Sequence, residues 1–372
     1  MRPFGLSGKS VVPLISGTAC AIPAVMATRN IENWKERLIT ILVTPFTTCS
    51  ARLPVYLIII ALVIPEGRFL GLSYQALTLM LLYLIGFGAA ILSAMVLNRI
   101  LKIKSRSFFV VEMPNYKLPL FKNVLYTVWE KTKSFIFGAG KIILAISVIL
   151  WFLGSFGISD NFKNAETIVQ ERIETDGFSA FNKSNIESNL ADYTASLNDS
   201  IAKKAFQINA ISFADSIQAK KFELHKIAQS QEIASFKLEN SFMGYAGKAI
   251  EPIVKPLGYD WKIGIAVLTS FAAREVFVST LATIYSVGSG EENTDTITHR
   301  MAAEVNPQTK EPVFNLASGI SLLLFYAFAM QCASTLAVVK RETNTWKWPA
   351  AQLVFMSVFA YIVALIAYQF LK

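Results

Sequence analysis

Residues Ser16–Asn30 read SGTACAIPAVMATRN. The stretch is apolar, long enough to sit in a membrane, interrupted by Gly17 and Pro23, and closed by Arg29. Cys20 stands beside the interruption. A proline frees the carbonyl four residues before it, here that of Ala19. Unpaired backbone at membrane depth is tolerated only where protein or a polar cavity surrounds it. A thiol next to freed backbone therefore points to a passage for a soft cation.

The remaining chain fits a membrane setting. Of 372 residues 53% are hydrophobic, and the mean hydropathy is +0.45. Nearly uncharged blocks lie at 10–28, 38–64, 74–98, 135–158, 263–287, 313–339 and 348–371. Each approaches or exceeds the roughly 20 residues that a spanning helix needs. The expected fold class is all-α, a polytopic membrane helical bundle. Block 10–28 is the shortest and most broken, which suits a re-entrant segment. Block 38–64 is too long for one straight span. Within it Pro45 and Pro54 bracket Cys49 and free the carbonyls of Ile41 and Ser50.

The net charge of +9 comes from basic residues gathered between apolar blocks. That pattern marks cytoplasmic loops rather than a nucleic-acid site. Residues 99–133 hold Arg99, Lys102, Lys104, Arg106, Lys117, Lys122, Lys131 and Lys133 against Glu112 and Glu130. Arg29, Lys35 and Arg37 lie two crossings earlier, on the same side. Counting on places Lys340, Arg341 and Lys347 outside and the acidic loop Glu291–Glu311 inside, against the positive-inside rule. Either one block is re-entrant, or packing constrains the second half.

Residues 159–261 are polar and mixed in charge. Leu190, Tyr193, Leu197, Ile201, Ala205 and Ile208 recur at helical spacing. Two or three amphipathic helices outside the cytoplasm, or a solvated spacer, both fit. Ser241 to Trp261, with Pro252 and Pro256, reads as an interfacial elbow. The chain thus divides into a first gate segment (1–70), membrane helices with the basic loop (71–158), a polar helical extracytoplasmic insert (159–261) and a second gate segment with C-terminal helices (262–372).

Soluble enzymology finds no support. His225 and His299 fall in polar loops, and there is no Ser-His-Asp set, GxGxxG stretch or paired CxxC. Gly8-Lys9-Ser10 resembles the end of a phosphate-binding loop, but Pro3 stands where that loop needs glycine. SRSFFVVEMPNYKLPLFKN mixes basic and aromatic residues between two spans, as a membrane-surface loop does. Residues 1–10 show no signal-peptide exit.

Three cysteines, Cys20, Cys49 and Cys332, occupy three separate apolar blocks. An odd number in such places favours free thiols or ligands over a disulfide framework. Thiolates suit iron(II), zinc or copper(I). Packed together, the three would form a sulfur ring, with oxygens from Ser16, Thr18, Thr47, Thr48 and Thr335 and from freed carbonyls. The competing reading is that a free cysteine is an ordinary small core residue. Arg274-Glu275 puts two charges near the centre of an apolar block, where charges face a partner or a wet cavity. Glu275 suits cation coordination or relay, with Arg52 as a candidate partner, and a structural ion pair is the alternative. Cys20-Ala21 precedes Arg29 and Cys332-Ala333 precedes Arg341, each by nine residues from the thiol. The crossing count runs these two stretches in opposite directions, the plan of an inverted transporter repeat.

These residues resemble the ferrous iron transport protein B family. GLSGKSVVPLISGTACAIPAVMATRNIENWKERL is similar to that family's first gate segment, and PFTTCSARLPVY, VEMPNYKLP, FAAREVFVSTLATIY and QCASTLAVVKRETNTWKW follow in its order. The resemblance implies Fe2+ import across the bacterial inner membrane. GTP is used by a GTP-binding domain, fused or separate, and small accessory iron-transport proteins are the expected partners. A homo-oligomer is compatible with it. It also implies that Cys20, Cys49 and Cys332 match the family's membrane cysteines, and that Glu275 matches an acidic gate position. The family's GTP-binding domain and first spans have no counterpart in the sequence. Gln331 replaces the proline common before the third cysteine, so the helix break expected at Cys332 is less firm than those at Cys20 and Cys49. A membrane thiol oxidoreductase or redox sensor, and a scaffold for a partner GTPase, are the alternative functions.

Overall fold

The computed structural model describes residues 6, 8–65, 67–69, 71–101, 120–157, 159–178, 183, 186–191, 193–194, 210–271, 274, 276–284, 301, 313–330 and 332–372. Among these the chain is helical, apart from short connections and one two-residue ladder that pairs Arg68–Phe69 with Leu72–Ser73. Four segments are long and apolar enough to cross a membrane: Trp34–Val63, Tyr74–Ile100, Leu316–Thr343 and Lys347–Leu371.

The first two helices do not cross. Helix α1 (Val11–Ala19) and α2 (Ala21–Ala27) have nine and seven residues. At 1.5 Å per residue they reach about 13 and 10 Å, less than half of a roughly 30 Å hydrocarbon core. They form a hairpin that enters and leaves at one end of the molecule. Its entry is tied by Lys9 Nζ to Glu32 Oε1 at 2.8 Å, and the Ser10 and Thr40 hydroxyls meet at 3.0 Å. The Lys9 hydrogen bond holds the Glu32 carboxyl below its ordinary range. The hairpin's exit is tied by Arg29 to Glu342. At Gly17, α1 lies so close to the next element that a Cβ would meet Thr47 Oγ1 at 2.6 Å.

That next element is a broken span. Helix α3 (Trp34–Val43), opened by an Asn33 cap on the Lys35 amide, passes into a 3-10 turn at Thr44–Phe46. Extended residues and a second 3-10 turn, Ser50–Arg52, lead to α4 (Leu53–Val63). After the short ladder, α5 (Tyr74–Ile100) runs straight back, capped by Ser73 on the Ala76 amide. Lys35 Nζ reaches the Asn98 carbonyl at 3.2 Å, so the start of α3 and the end of α5 share one end, called here the basic end.

Helices α6 (Phe121–Phe135) and α7 (Lys141–Ser155) are joined through a π-helical turn at Ile136–Gly140. The C-terminal third of the basic stretch 99–133 is therefore helix; residues 102–119 lie outside the described residues. The insert carries α8 (Asp160–Lys163), α9 (Ala165–Asp176), α10 (Ala210–Glu239) and α11 (Phe242–Val254). Among the described residues of this region helices predominate, and α9 is joined to α10 through Glu166 and Lys237 at 2.8 Å. Of the apolar series read there, Leu197, Ile201, Ala205 and Ile208 lie outside the described residues.

The second half repeats the plan upside down. Helix α12 (Trp261–Ser270) and α13 (Val276–Ile284) have ten and nine residues and form a second hairpin, with Thr269 and Thr280 hydroxyls bonded across it at 3.0 Å. Block 263–287 is thus re-entrant, where sequence length alone had suggested a span. A broken span follows, α14 (Leu316–Phe328) and α15 (Ala333–Thr343), then the straight α16 (Lys347–Leu371). The α15–α16 turn is tight, with Asn344 at φ 52°, a left-handed conformation that asparagine tolerates. The second hairpin opens at the end opposite the basic one. There Tyr259 bonds Ser321, which donates to the Ala364 carbonyl, and Tyr361 donates to the Ile253 carbonyl.

The re-entrant block 263–287 changes the crossing count. The end of α15 and the start of α16 carry Lys340, Arg341 and Lys347, and they lie beside Arg29 and Arg37. The conflict with the positive-inside rule disappears. Helices α2 and α15 run the same way, so Cys20 and Cys332 are not equivalent positions of an inverted repeat. The repeat is real, but it pairs hairpin with hairpin and broken span with broken span. Its partners are therefore Cys49 with Cys332, and the Cys20 tip with the Phe271–Arg274 tip. We expect Asn30→Cys and Thr345→Cys, made singly in sealed vesicles, to react with an impermeant maleimide from the same side; labelling from opposite sides would contradict this topology.

Candidate functional site

Each helix break leaves carbonyls without intrahelical donors, and three of the described breaks carry a cysteine. Cys20 separates α1 from α2 with extended backbone, φ −155° and ψ 133°. Cys49 precedes the 3-10 turn before α4, at φ −89° and ψ 159°. Cys332 directly precedes α15, at φ −157° and ψ 97°. All three are half-buried, and none is in a disulfide. The break at Cys332 is as definite as the other two, although no proline precedes it. Partners from the second hairpin hold it open: the Phe271 carbonyl accepts the Ala333 amide at 2.9 Å, and Arg274 caps the end of α14.

The first hairpin meets the first broken span at the two thiols. Ser50 Oγ donates to the Ala19 carbonyl at 2.8 Å. This is the carbonyl freed by Pro23, and its donor adjoins Cys49. Pro54 frees the Ser50 carbonyl, which takes the Leu53 amide instead. Where α3 gives way, the Leu42 carbonyl accepts Gln352 Nε2 from α16 at 2.9 Å.

Two buried guanidiniums complete the capping. Arg52, with 0% exposure, donates to the Pro45 carbonyl at 3.1 Å and reaches that of Phe46 at 3.5 Å. Arg274, 5% exposed, donates to the Ala329 carbonyl at 2.9 Å and reaches that of Tyr326 at 3.4 Å. Each therefore sits on the negative end of the leading half-helix of a broken span, where the helix dipole favours a cation. Both also act electrostatically on Cys49. Their charge repels a bare cation at that sulfur.

Arg52 is thus engaged by backbone. Glu275, its expected partner, lies outside the described residues, as does Gln331. Thr18 Oγ1 and Thr47 Oγ1 are turned back on the Ile15 and Thr44 carbonyls of their own segments. Thr335 is buried, its amide bonded to the Cys332 carbonyl at 3.1 Å. Thr48 Oγ1, Ser334 Oγ, Arg52 Nε and the Tyr56 hydroxyl are buried with no hydrogen-bond partner among the described residues; the Tyr56 hydroxyl neighbours Arg52 without good bonding geometry. Among the described residues no three Cys, His, Asp or Glu side chains gather into a metal-binding group, so the breaks adjoin one another while the three sulfurs form no closed ring. Sequence reasoning passed over the Ser50 hydroxyl, Phe271, Gln352 and Glu342. Ser50 and Phe271 adjoin residues already of interest, but nothing in the order of residues marks them as cross-hairpin partners.

Residues 1–63 and 210–346 match the family model described as nucleoside recognition, and residues 79–131 match that of the ferrous iron transport protein B C terminus. The chain belongs to the ferrous iron transport protein B family. It is 40% identical over 370 residues to a protein named Fe(2+) transporter FeoB from Leptospira interrogans, covering 99% of this chain and 44% of that one. A fusion of Fe(2+) transport protein A with Fe(2+) transporter FeoB from Porphyromonas gingivalis is 32% identical over 99% of this chain and 38% of its own length. The Helicobacter pylori Fe(2+) transporter FeoB is 30% identical, over 99% and 49%. The chain spans less than half the length of these relatives. No solved structure matches it. Within the family's membrane region, the capping arginines carry a clear expectation. Arg52→Met orphans the carbonyls of Pro45 and Phe46 and should destabilise the detergent-solubilised protein by about 2–6 kcal/mol, since each of the two buried groups left unpaired costs about 1–3 kcal/mol. Arg52→Lys should recover only part, because an ammonium lacks the fork that reaches two carbonyls. Denaturant or thermal unfolding checks both.

Proposed function

We propose that this chain is the permease portion of an iron(II) importer in the bacterial inner membrane, with its basic end in the cytoplasm. The observation that carries this reading is the meeting of two half-depth hairpins with two broken spans, with a half-buried cysteine at three of the openings. Inverted repeats with discontinuous helices meeting near the midplane are a transporter plan. The family membership and the names of the relatives supply the cargo.

In this reading iron(II) passes the breaks, taking Cys20, Cys49 and Cys332 in succession rather than as one closed ring. Sulfur is a soft donor for iron(II), and the thiol gives up its proton on ligation. The guanidiniums of Arg52 and Arg274 disfavour a naked dication, so entry depends on anionic sulfur and on the Glu275 carboxylate as relay. Thr48, Ser334 and Tyr56 supply polar atoms for a hydrated passage. Transient, mixed ligation allows release as well as capture. A GTP-binding domain, fused or separate, drives or gates the movement, and a small accessory protein is a partner, in line with the Porphyromonas gingivalis fusion.

In the complete transporter, Cys20→Ser or Cys49→Ser should lower labelled iron(II) uptake by about tenfold, the scale on which loss of a metal-site group acts. Unchanged uptake at equal protein level would remove the thiols from the path.

A further inference from the structure

The most charged buried contact in the described molecule lies away from the cysteines. Glu342, near the end of α15, has a side chain only 3% exposed. It accepts Arg29 Nε at 2.8 Å and Arg29 Nη2 at 2.6 Å, a two-pronged pair. Arg37 Nη2, from the first turn of α3, donates to the same carboxylate at 2.9 Å, and Arg341 Nε stands at 3.6 Å. The contact joins the two repeats.

Above it lies an apolar seam. Ile22 and Val25 of α2, Ile41 of α3, and Val338 and Val339 of α15 form one buried cluster, with Cys20 and Met26 packed against it. Going from the Cys20 thiol toward the basic end along this seam, a solute meets apolar side chains and then the Arg29–Glu342–Arg37 cluster. Helices α2 and α15 each begin at a break and have no continuous helix holding them at mid-depth.

We propose that Glu342 is the latch of a gate at the basic end, holding α2 and α3 of the first repeat against α15 of the second, and that release of Arg29 from it opens the seam down to Cys20. The purpose of the gate rests on the transport reading, but its existence does not. One carboxylate shared by two arginines from the facing repeat suits a two-state contact. Removing the carboxylate leaves the half-exposed Arg29 and the partly buried Arg37 beside one another without a shared anion, so the closed form loses its attraction and gains repulsion. Among the described residues the opposite end has no equivalent ion cluster between α13 and α4, so the two ends differ in what holds them shut.

Accessibility of Cys20 tests this without any requirement for iron flux. The full-length transporter, in sealed vesicles with the basic side outward, is treated with an impermeant maleimide, and the Cys20 peptide is followed by mass spectrometry. Glu342→Gln should raise the alkylation rate about tenfold or more, and Arg29→Gln, which leaves Arg37 on the carboxylate, should raise it less. Arg29→Glu combined with Glu342→Arg should return the rate toward that of the parent. Unchanged Cys20 rates in both single variants, with melting temperatures equal to the parent's, would overturn the latch. Should Glu342→Gln fail to fold, the Arg29→Gln rate alone decides. Faster labelling without any iron uptake in the parent would keep the latch and remove the transport reading.

Discussion

A helix that stops halfway through a membrane leaves carbonyls that neither lipid nor the helix can satisfy. This chain stops helices at mid-depth repeatedly, and the rest of the architecture follows from how those ends are capped. Ser50 serves the tip of the first hairpin, Arg52 the end of α3, and Arg274 the end of α14, while the Phe271 carbonyl takes the Ala333 amide at the start of α15. Except for Arg52, each partner comes from the neighbouring hairpin or span. A hairpin and its broken span are thus one cooperative unit, since neither can keep its open end without the other.

The capping solution shapes the chemistry available at the breaks. Positive guanidiniums stabilise carbonyl ends, yet both also act electrostatically on Cys49. Under the proposed transport, a cation passing there needs negative charge from the site itself. A cysteine at a break can provide it and lose it again by exchanging a proton for a metal. All three cysteines are partly exposed residues, which is compatible with such exchange. At the basic end the charges are arranged differently: one carboxylate is surrounded by arginines and joins the two repeats.

Much of this was legible in the order of residues. Long uncharged blocks identified the membrane helices, and Gly17, Pro23, Pro45 and Pro54 located two of the breaks. The apolar block 10–28 is too short and interrupted to cross, as the hairpin shows. Block 263–287 misled, because its length suits a span and its turn at Phe271–Arg274 contains neither glycine nor proline. One misjudged hairpin reversed every later crossing, and with it the side given to Lys340, Arg341 and Lys347. The matched spacing of Cys20–Arg29 and Cys332–Arg341 misled in the same way. Similar short sequences occupy a hairpin arm and a span half, which pack side by side and point the same way instead of being related by inversion.

The sequence by itself determined that the chain is a helical membrane bundle, that its helices break near cysteines, and that its family is that of ferrous iron transport protein B. These are properties of composition, local backbone chemistry and motif order, and they need no long-range contact. Only the tertiary structure decided which blocks turn back at mid-depth, which carbonyls each buried arginine covers, and which carboxylate holds the two repeats together. Those outcomes depend on partners far apart in the chain, such as Arg29 with Glu342 and Arg274 with Ala329, and short-range residue patterns carry no information about such pairs.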